Sequence, residues 1–582
     1  MIRFAWTIIL AFCGGEVDLE THHLVARAVP GLAVAGGCAD DSPTARDPSD
    51  TLLREQEQRR RDAAVAREPQ PVPPVAEAAR SLEVPATFPE NLPNEGPHFL
   101  ITALRPEGDT LLADADFLRV ARPFLGRELG AAHIGVLLDR LNQTLIEAGY
   151  TTSRAYVGQQ NLAQGVLRVT FVAGRIEQLV YRDQRVDNAA RLGLRLALPM
   201  REGDVLRLPD IEQAVDQFNR AGAQVQVQIR PGTQTGGSIV AFESALAETQ
   251  GTRYNLTLDN HGSSSTGALR VQLTGDRVDT LGLMETLQWG LTTSRDTNAL
   301  YANMAVPVGY NTLSLMASAS EYQNLIGDTA LVYGTSGSVG LAWNRLLHRD
   351  QTSKTALDVS LTRRHSRRAI NNVTLSPQRQ TVARLGVNRL ERWSTAEGNA
   401  QWTVDLGLSK GLQLLGADRD DEGLASQAAR AQFTKLEFNT GLERPVSPNW
   451  QWRARLSGQW SAHPLFSSEQ LFAGGVSSVR GLSDSAVGGD RGLSTRQEWV
   501  WLSAPVLSWP VSARLEPFVF LDGARLMTVA DGRWQSALGA GGGLRLNWTG
   551  GQAELVLAYP LRQPAELRAT GWRLYAQMQW AL

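Results

Sequence analysis

From Gly251 to Leu582 the chain carries no convincing helical pattern, only segments that alternate apolar and polar residues with period two. The last is the cleanest, with Trp572, Leu574, Ala576, Met578, Trp580 and Leu582 on one side and Arg573, Tyr575, Gln577 and Gln579 on the other. Successive side chains of a strand point to opposite faces, so this segment has one oily face and one wet one. Trp450, Trp452, Ala454, Leu456 and Trp460 oppose Gln451, Arg453, Arg455, Ser457 and Gln459 in the same way, and Trp402, Val404, Leu406 and Leu408 oppose Thr403, Asp405 and Ser409. A soluble sandwich also alternates, but its strands run to about 5 or 6 residues. Runs here reach about 10, the length a tilted strand needs to cross a bilayer, and Trp and Tyr fall near their ends, where an interfacial girdle places them. About 16 such segments fit, an even number that closes a transmembrane antiparallel β-barrel and leaves no edge.

Composition places the boundary of this region. Of 15 tryptophans, all but Trp6 lie between Trp289 and Trp580, so the chain changes character near residue 250. The formal net charge of -2 offers no basic footprint for nucleic acid, and that class is set aside. No apolar run reaches the length of a membrane-spanning helix. Cys13 and Cys38 both precede the patterned region, so no disulfide framework or cysteine metal site is expected in the body. Met1 to Gly15, with Arg3 ahead of a short apolar stretch, or alternatively Leu24 to Gly37, reads as a secretory leader, and residues 1–37 are expected to direct export.

Residues 47–67 contain strong helix formers behind Ser49 and Asp50, yet they are polar around the whole circumference and cannot pack into a core. They suit a solvated tail or a helix plugging a water-filled bore. Residues 68–97 are proline-rich and extended, a linker long enough to return such a helix from beyond the barrel. From 98 to 250 one supersecondary order, β-α-α-β-β, occurs twice. In the first copy (98–174) Ile134, Leu137, Leu138, Leu141 and Leu145 make an apolar helix face, closed by Gly149. In the second (175–250) Ile211, Ala214, Val215 and Phe218 do the same before the strand AQVQVQI (223–229). Tandem copies of a small α+β module are more often binding units than enzymes.

A polar helix, a linker, two such modules and a barrel together resemble the two-partner secretion transporters (TpsB type, ShlB/FhaC/HecB-like). This family belongs to the superfamily of barrels with POTRA domains that includes the assembly protein BamA. The resemblance covers roughly residues 47–582. EAGYTTSRAYVGQQNLAQGVLRVTFVAGRIE (147–177) is similar to the end of a first POTRA domain, and LPDIEQAVDQFNRAGAQVQVQIRPGTQTGGS (208–238) to the end of a second. LTLDNHGSSSTG (256–267) resembles the first barrel hairpin. Val479, Arg480 and Gly481, within GGVSSVRGL, match the tip of a long sixth loop (462–495) that folds back into the lumen in this superfamily. Phe520 and Asp522, within FVFLDGAR, match the F-x-D-x-G barrel-wall strand, although the motif glycine is Ala524 here and Gly523 stands one place early. GAGGG (539–543) has neither the lysine nor the helix of a phosphate loop and reads as a strand stripped of side chains for close packing.

No H-E-x-x-H, C-x-x-C, G-x-S-x-G or Walker sequence occurs, so neither enzyme chemistry nor a cofactor is expected. The resemblance implies an outer-membrane transporter of a Gram-negative bacterium with periplasmic POTRA domains. Its partner would be a large secreted β-helical exoprotein, whether adhesin, haemolysin or toxin. Outer-membrane lipid and the barrel-assembly machinery that inserts it would be its other partners. Gln224, Gln226 and Gln228 mark the candidate POTRA docking edge. Arg480 and Asp522 are expected to pair inside the barrel: the alternation Phe518, Phe520, Asp522 sets the carboxylate on the wet face, and the resemblance implies that the loop tip delivers Arg480 to it. An assembly factor of the BamA or TamA kind is the rival; it would more often carry three to five POTRA repeats than two. A passive pore would carry none.

Overall fold

The structure, a computed structural model, describes residues 88–89 and 96–582 apart from short stretches at 187–190, 221–224, 245–250, 264–265, 327–329, 351, 484–486, 505, 508–511, 566 and 568–570. The expected leader, the polar segment 47–67, most of the linker and Gln224 lie outside the described residues.

The first module opens with strands β1 (Phe99–Ile101) and β2 (Ala103–Gly108) and helix α1 (Asp114–Ala121). Strand β3 (Arg127–Leu129), helix α2 (Ala131–Glu147) and strands β4 (Arg154–Tyr156) and β5 (Val166–Val172) complete it. Strand β2 runs parallel to β5, and β5 antiparallel to β4. Leu137, Leu141 and Leu145 of α2 pack with Phe117, Phe124 and Phe171, so the apolar stripe read along the helix becomes the core of this module. The second module repeats the plan with β6 (Arg175–Tyr181), β7 (Gln184–Arg185), α3 (Leu192–Ala197), α4 (Leu208–Arg220), β8 (Val225–Pro231) and β9 (Gly237–Ser244). Its sheet has the order β7-β6-β9-β8, which leaves β8 at an edge. Ile211, Ala214, Val215 and Phe218 of α4 are all buried, packed with Ile176, Leu179, Val240 and Phe242.

The remainder is a closed antiparallel barrel of 16 spanning strands, from Arg253–Asp259 to Arg573–Ala581, with two-residue pieces at Val373–Thr374 and Val506–Leu507 in its connections. The longest strands, such as Ala330–Arg349 with 20 residues, project beyond a hydrocarbon core. The first strand closes on the last through five pairs, Asn255 opposite Ala581 to Asp259 opposite Gln577. Val519 and Leu521 are exposed on the outside while Phe518, Phe520 and Asp522 are buried on the inside, so alternation along this strand separates lipid from lumen. The twelfth strand begins at Arg491, so the sixth loop spans 462–490 and ends earlier than the expected 495.

The second module is seated on the near end of the barrel through α4. Its outer side carries Gln213, Asp216 and Gln217, all buried although polar. Gln213 and Gln217 donate to the carbonyl of Gly309 at 3.2 and 2.9 Å. Asp216 accepts from Arg349 and Lys354, which flank the turn between the sixth and seventh strands. Tyr310 donates to Asp210. Burial pushes the Asp216 carboxyl up, but the hydrogen bonds and charges of Arg349 and Lys354 outweigh it and hold it below the usual carboxylate range. Burial prevails at Glu212 and Asp210, which are raised despite Arg349 beside the first and Tyr310 on the second.

Candidate functional site

The sixth loop leaves the eleventh strand (Trp450–Ser461), forms a short hairpin of Leu471–Ala473 with Val487–Gly489, and carries its tip down inside the barrel. Asp490 secures the base: its carboxylate accepts from the backbone of Leu465 at 2.9 Å and of Val529 at 2.7 Å, and from the Gln470 side chain at 2.9 Å. Lower down, the loop meets the polar wall. Lys435 is bridged to Glu437 and Glu469, Arg364 donates to the Ser468 carbonyl, and Gln459 donates to that of Glu469.

At the tip Arg480 is fully buried. Its Nε and Nη2 reach the two oxygens of Asp522 at 2.6 and 2.8 Å, its own backbone N–H adds a third bond at 3.2 Å, and Nη1 reaches Glu498 at 2.6 Å. This is the fork geometry by which a guanidinium grips a carboxylate with two parallel bonds. The guanidinium carbon lies 3.7 Å from the centre of the Phe520 ring, so the motif phenylalanine supplies a cation–π floor beneath the pair. Glu498 is shared, because it also accepts from Arg545 at 2.8 Å and Arg496 at 3.2 Å.

The neighbours of Arg480 fix its backbone. Val479 packs with Leu482, Val487, Leu526 and Ala537. Gly481 has φ +96, and a Cβ there would stand 2.9 Å from the backbone of Tyr559 and Pro560, so both conformation and space call for glycine. Its N–H donates to the Tyr575 hydroxyl at 3.1 Å, and that hydroxyl donates to the carbonyl of Leu482 at 3.2 Å. The stripped strand 539–543 now has its reason: a Cβ on Gly539, opposite Asp522, would lie 1.9 Å from the Arg480 carbonyl oxygen. Gly541 and Gly543 leave room in the same way for the rings of Phe520 and Phe518.

The structure thus brings together Val479, Arg480, Gly481, Phe520 and Asp522. Gly523 turns to the opposite face, paired with Leu538, and Ala524 stands in the luminal row opposite Ala537, where a methyl is accommodated. Gln226 and Gln228 lie far along the chain on the exposed edge strand β8. Sequence reasoning passed over Glu498, Arg545 and the Tyr575 clasp. An acid in the wet row of the twelfth strand, on one face with Ser494 and Arg496, is the signal that would have found Glu498. Among the described residues no group of three or more metal-binding side chains occurs.

Comparison with known proteins agrees with this architecture. The model of the haemolysin secretion/activation proteins ShlB/FhaC/HecB matches residues 236–546, and two POTRA models match residues 99–174 and 175–231. The outer membrane transporter CdiB of Dickeya dadantii is 31% identical over 81% of this chain and 85% of its own length. The hemolysin transporter protein HpmB of Proteus mirabilis is 25% identical over 78% of this chain and 80% of its own. The solved structure of CdiB from Escherichia coli superposes with a TM-score of 0.80 at 27% identity, covering 93% of this chain and all of that one. Both POTRA domains are therefore periplasmic, the sixth loop enters from the cell surface, and the chain belongs to the ShlB/FhaC/HecB family of outer-membrane transporters of two-partner secretion.

Proposed function

We propose that the protein captures an unfolded exoprotein in the periplasm through its POTRA domains and passes it outward through the barrel. The observation that carries this is the edge strand β8. Its seven residues pair with β9 on one side, and among the described residues no strand pairs with the other. An extended segment can add to such an edge through backbone hydrogen bonds, with alternate side chains supplying selectivity. The polar wall and the charge-held sixth loop offer that segment a wet route onward, and no bond chemistry is needed. Identity to the CdiB transporters of Dickeya dadantii and Escherichia coli, at 31% and 29%, exceeds that to HpmB at 25%, which favours a cargo of the kind CdiB exports over a haemolysin. A photo-crosslinking residue at Gln226 or Gln228 of the full-length protein, coexpressed with its exoprotein, should yield adducts with the secretion domain. Adducts absent there but present elsewhere in the POTRA domains would overturn the docking edge.

A further inference from the structure

We propose that the outer wall of the barrel, at the cell-surface end of its seventh to ninth strands, binds the phosphate groups of a glycolipid of the outer leaflet. The seventh strand, Ser353–Ile370, turns Arg364 into the lumen, where it meets Ser468 and Glu469 of the sixth loop. Alternation then sends Arg363, His365 and Arg367 outward. On the eighth strand, Gln378–Thr395, Gln380 meets Ser468 inside, so Arg379 also faces outward, directly opposite His365. On the ninth, Gly398–Gly411, Ser409 donates to Glu437 inside, which turns Lys410 outward.

Arg363, Arg367, Arg379 and Lys410 are all exposed, and among the described residues none of the four forms an ion pair. Luminal Arg364 and Arg384, one face away, are matched by Glu469 and Asp405. The three arginines act electrostatically on the His365 imidazole, with Asp418 acting in the opposite sense, so they share one small region. Like charges on neighbouring strands repel, and Asp418, which accepts from the Arg379 backbone N–H at 2.7 Å, is one carboxylate against three arginines and a lysine, so the excess charge is balanced when an outside anion joins it. Arginine forks fit phosphate oxygens bidentately.

The height of the cluster and its neighbours point to a lipid. In the outward rows of these three strands the exposed Val359, Leu385 and Leu408 lie on the periplasmic side of the cations, while on the adjacent sixth strand Tyr333 lies on their cell-surface side, so the cations stand at the upper margin of the apolar belt, at headgroup level. Beside it the fifth loop folds back along the eighth strand, with Leu412 donating to the Thr381 carbonyl and Thr381 to that of Leu414. The loop presents Leu414 and Leu415 to the outside, exposed by 52% and 57%, with Leu415 held at φ +53, which a branched side chain rarely adopts. Cations beside outward leucines at a membrane boundary match an amphiphile with phosphate at the junction of headgroup and chains.

The test uses the full-length protein in detergent micelles, titrated with bisphosphorylated lipid A, its dephosphorylated analogue and inorganic phosphate, with binding read by native mass spectrometry. The phosphorylated lipid should bind at least tenfold more tightly than the analogue. The triple variant R363Q/R367Q/R379Q should lose at least tenfold, and the triple lysine variant R363K/R367K/R379K should keep most of the affinity. Arg389→Gln, an outward arginine near the periplasmic end already paired with Glu391 at 3.1 Å, should leave binding unchanged. Heat-modifiable migration would establish that each barrel is folded, and the single variant Arg379→Gln replaces the triple one if it is not. Equal binding of the two lipids, an unaffected glutamine variant, or competition by inorganic phosphate at the lipid's own concentration would overturn the proposal.

Discussion

Two elements meet this barrel, the sixth loop from the cell surface and the second POTRA domain from the periplasm, and each is held by a charged cluster. The clusters are mirror images in chemistry. In the lumen the wall supplies the acids, Asp522 and Glu498, and the loop delivers Arg480. At the periplasmic rim the barrel supplies the cations, Arg349 and Lys354, and the domain delivers Asp216. They differ in water. The side chains of Arg480 and Asp522 are 1% and 0% exposed, whereas Arg349 and Lys354 retain 12% and 14%. A dry pair loses most when one partner goes, because the survivor stays buried and uncompensated; a damp one lets water replace part of the loss.

The largest effect should therefore come from the lumen. Arg480→Ala and Asp522→Ala should each weaken loop anchorage by about 3 to 5 kcal/mol. Each should also cut exoprotein secretion while leaving a folded, heat-modifiable barrel, and the double variant should be little worse than either. Losses that simply add in secretion assays would show that the two residues act independently. Asp216→Asn should cost less, about 1.5 to 3 kcal/mol at the domain junction. Spin-label distances between the second POTRA domain and the barrel should broaden; an unchanged narrow distribution would break the comparison.

Acid offers a finer probe of the same junction. Because the folded state holds Asp216 below its ordinary range, its contribution is present at neutral pH and is lost only as pH falls through that depressed value. Glu212 and Asp210, raised by burial, take up protons earlier, and a raised acid favours the folded state as pH falls. Acidification from pH 7 to about 5 should thus leave the distances narrow. Gly539→Ala drives a methyl against the Arg480 carbonyl and should cost about 1 to 3 kcal/mol. Gly542→Ala, on the outward face with its nearest neighbour at 3.2 Å, should be better tolerated, and protease sensitivity of the sixth loop would separate the two.

The elements that announce themselves in the sequence are those ruled by local periodicity. The apolar stripes of α2 and α4, the doubled β-α-α-β-β order and the alternation of the long strands all follow from one face being buried and the other not. The second face of α4 did not announce itself. Gln213, Asp216 and Gln217 are polar and carry no periodic signal of burial, and the barrel turns at Gly309 and Arg349 bury them. The small strands β3 and β7 were equally silent, being too short to show a period. At the loop tip, Arg480 and Asp522 could be picked out from short motifs, whereas Glu498, Tyr575 and the space left at Gly539 depend on which strands become neighbours across the bore.

One feature of the second POTRA domain bears on time rather than structure. Strand β8 ends at Pro231, which has no N–H to offer, so an added strand finds at most the six residues before it, and about half of these turn their backbone groups outward. With each net hydrogen bond worth about 0.5 to 1.5 kcal/mol, such a strip holds a guest by only a few kcal/mol. On the docking proposal, dwell times are then brief and the off-rate high. On that same proposal, a carrier that passes a long chain step by step works only if each grip is short-lived, and a proline at the end of the strip would set that limit into the backbone itself.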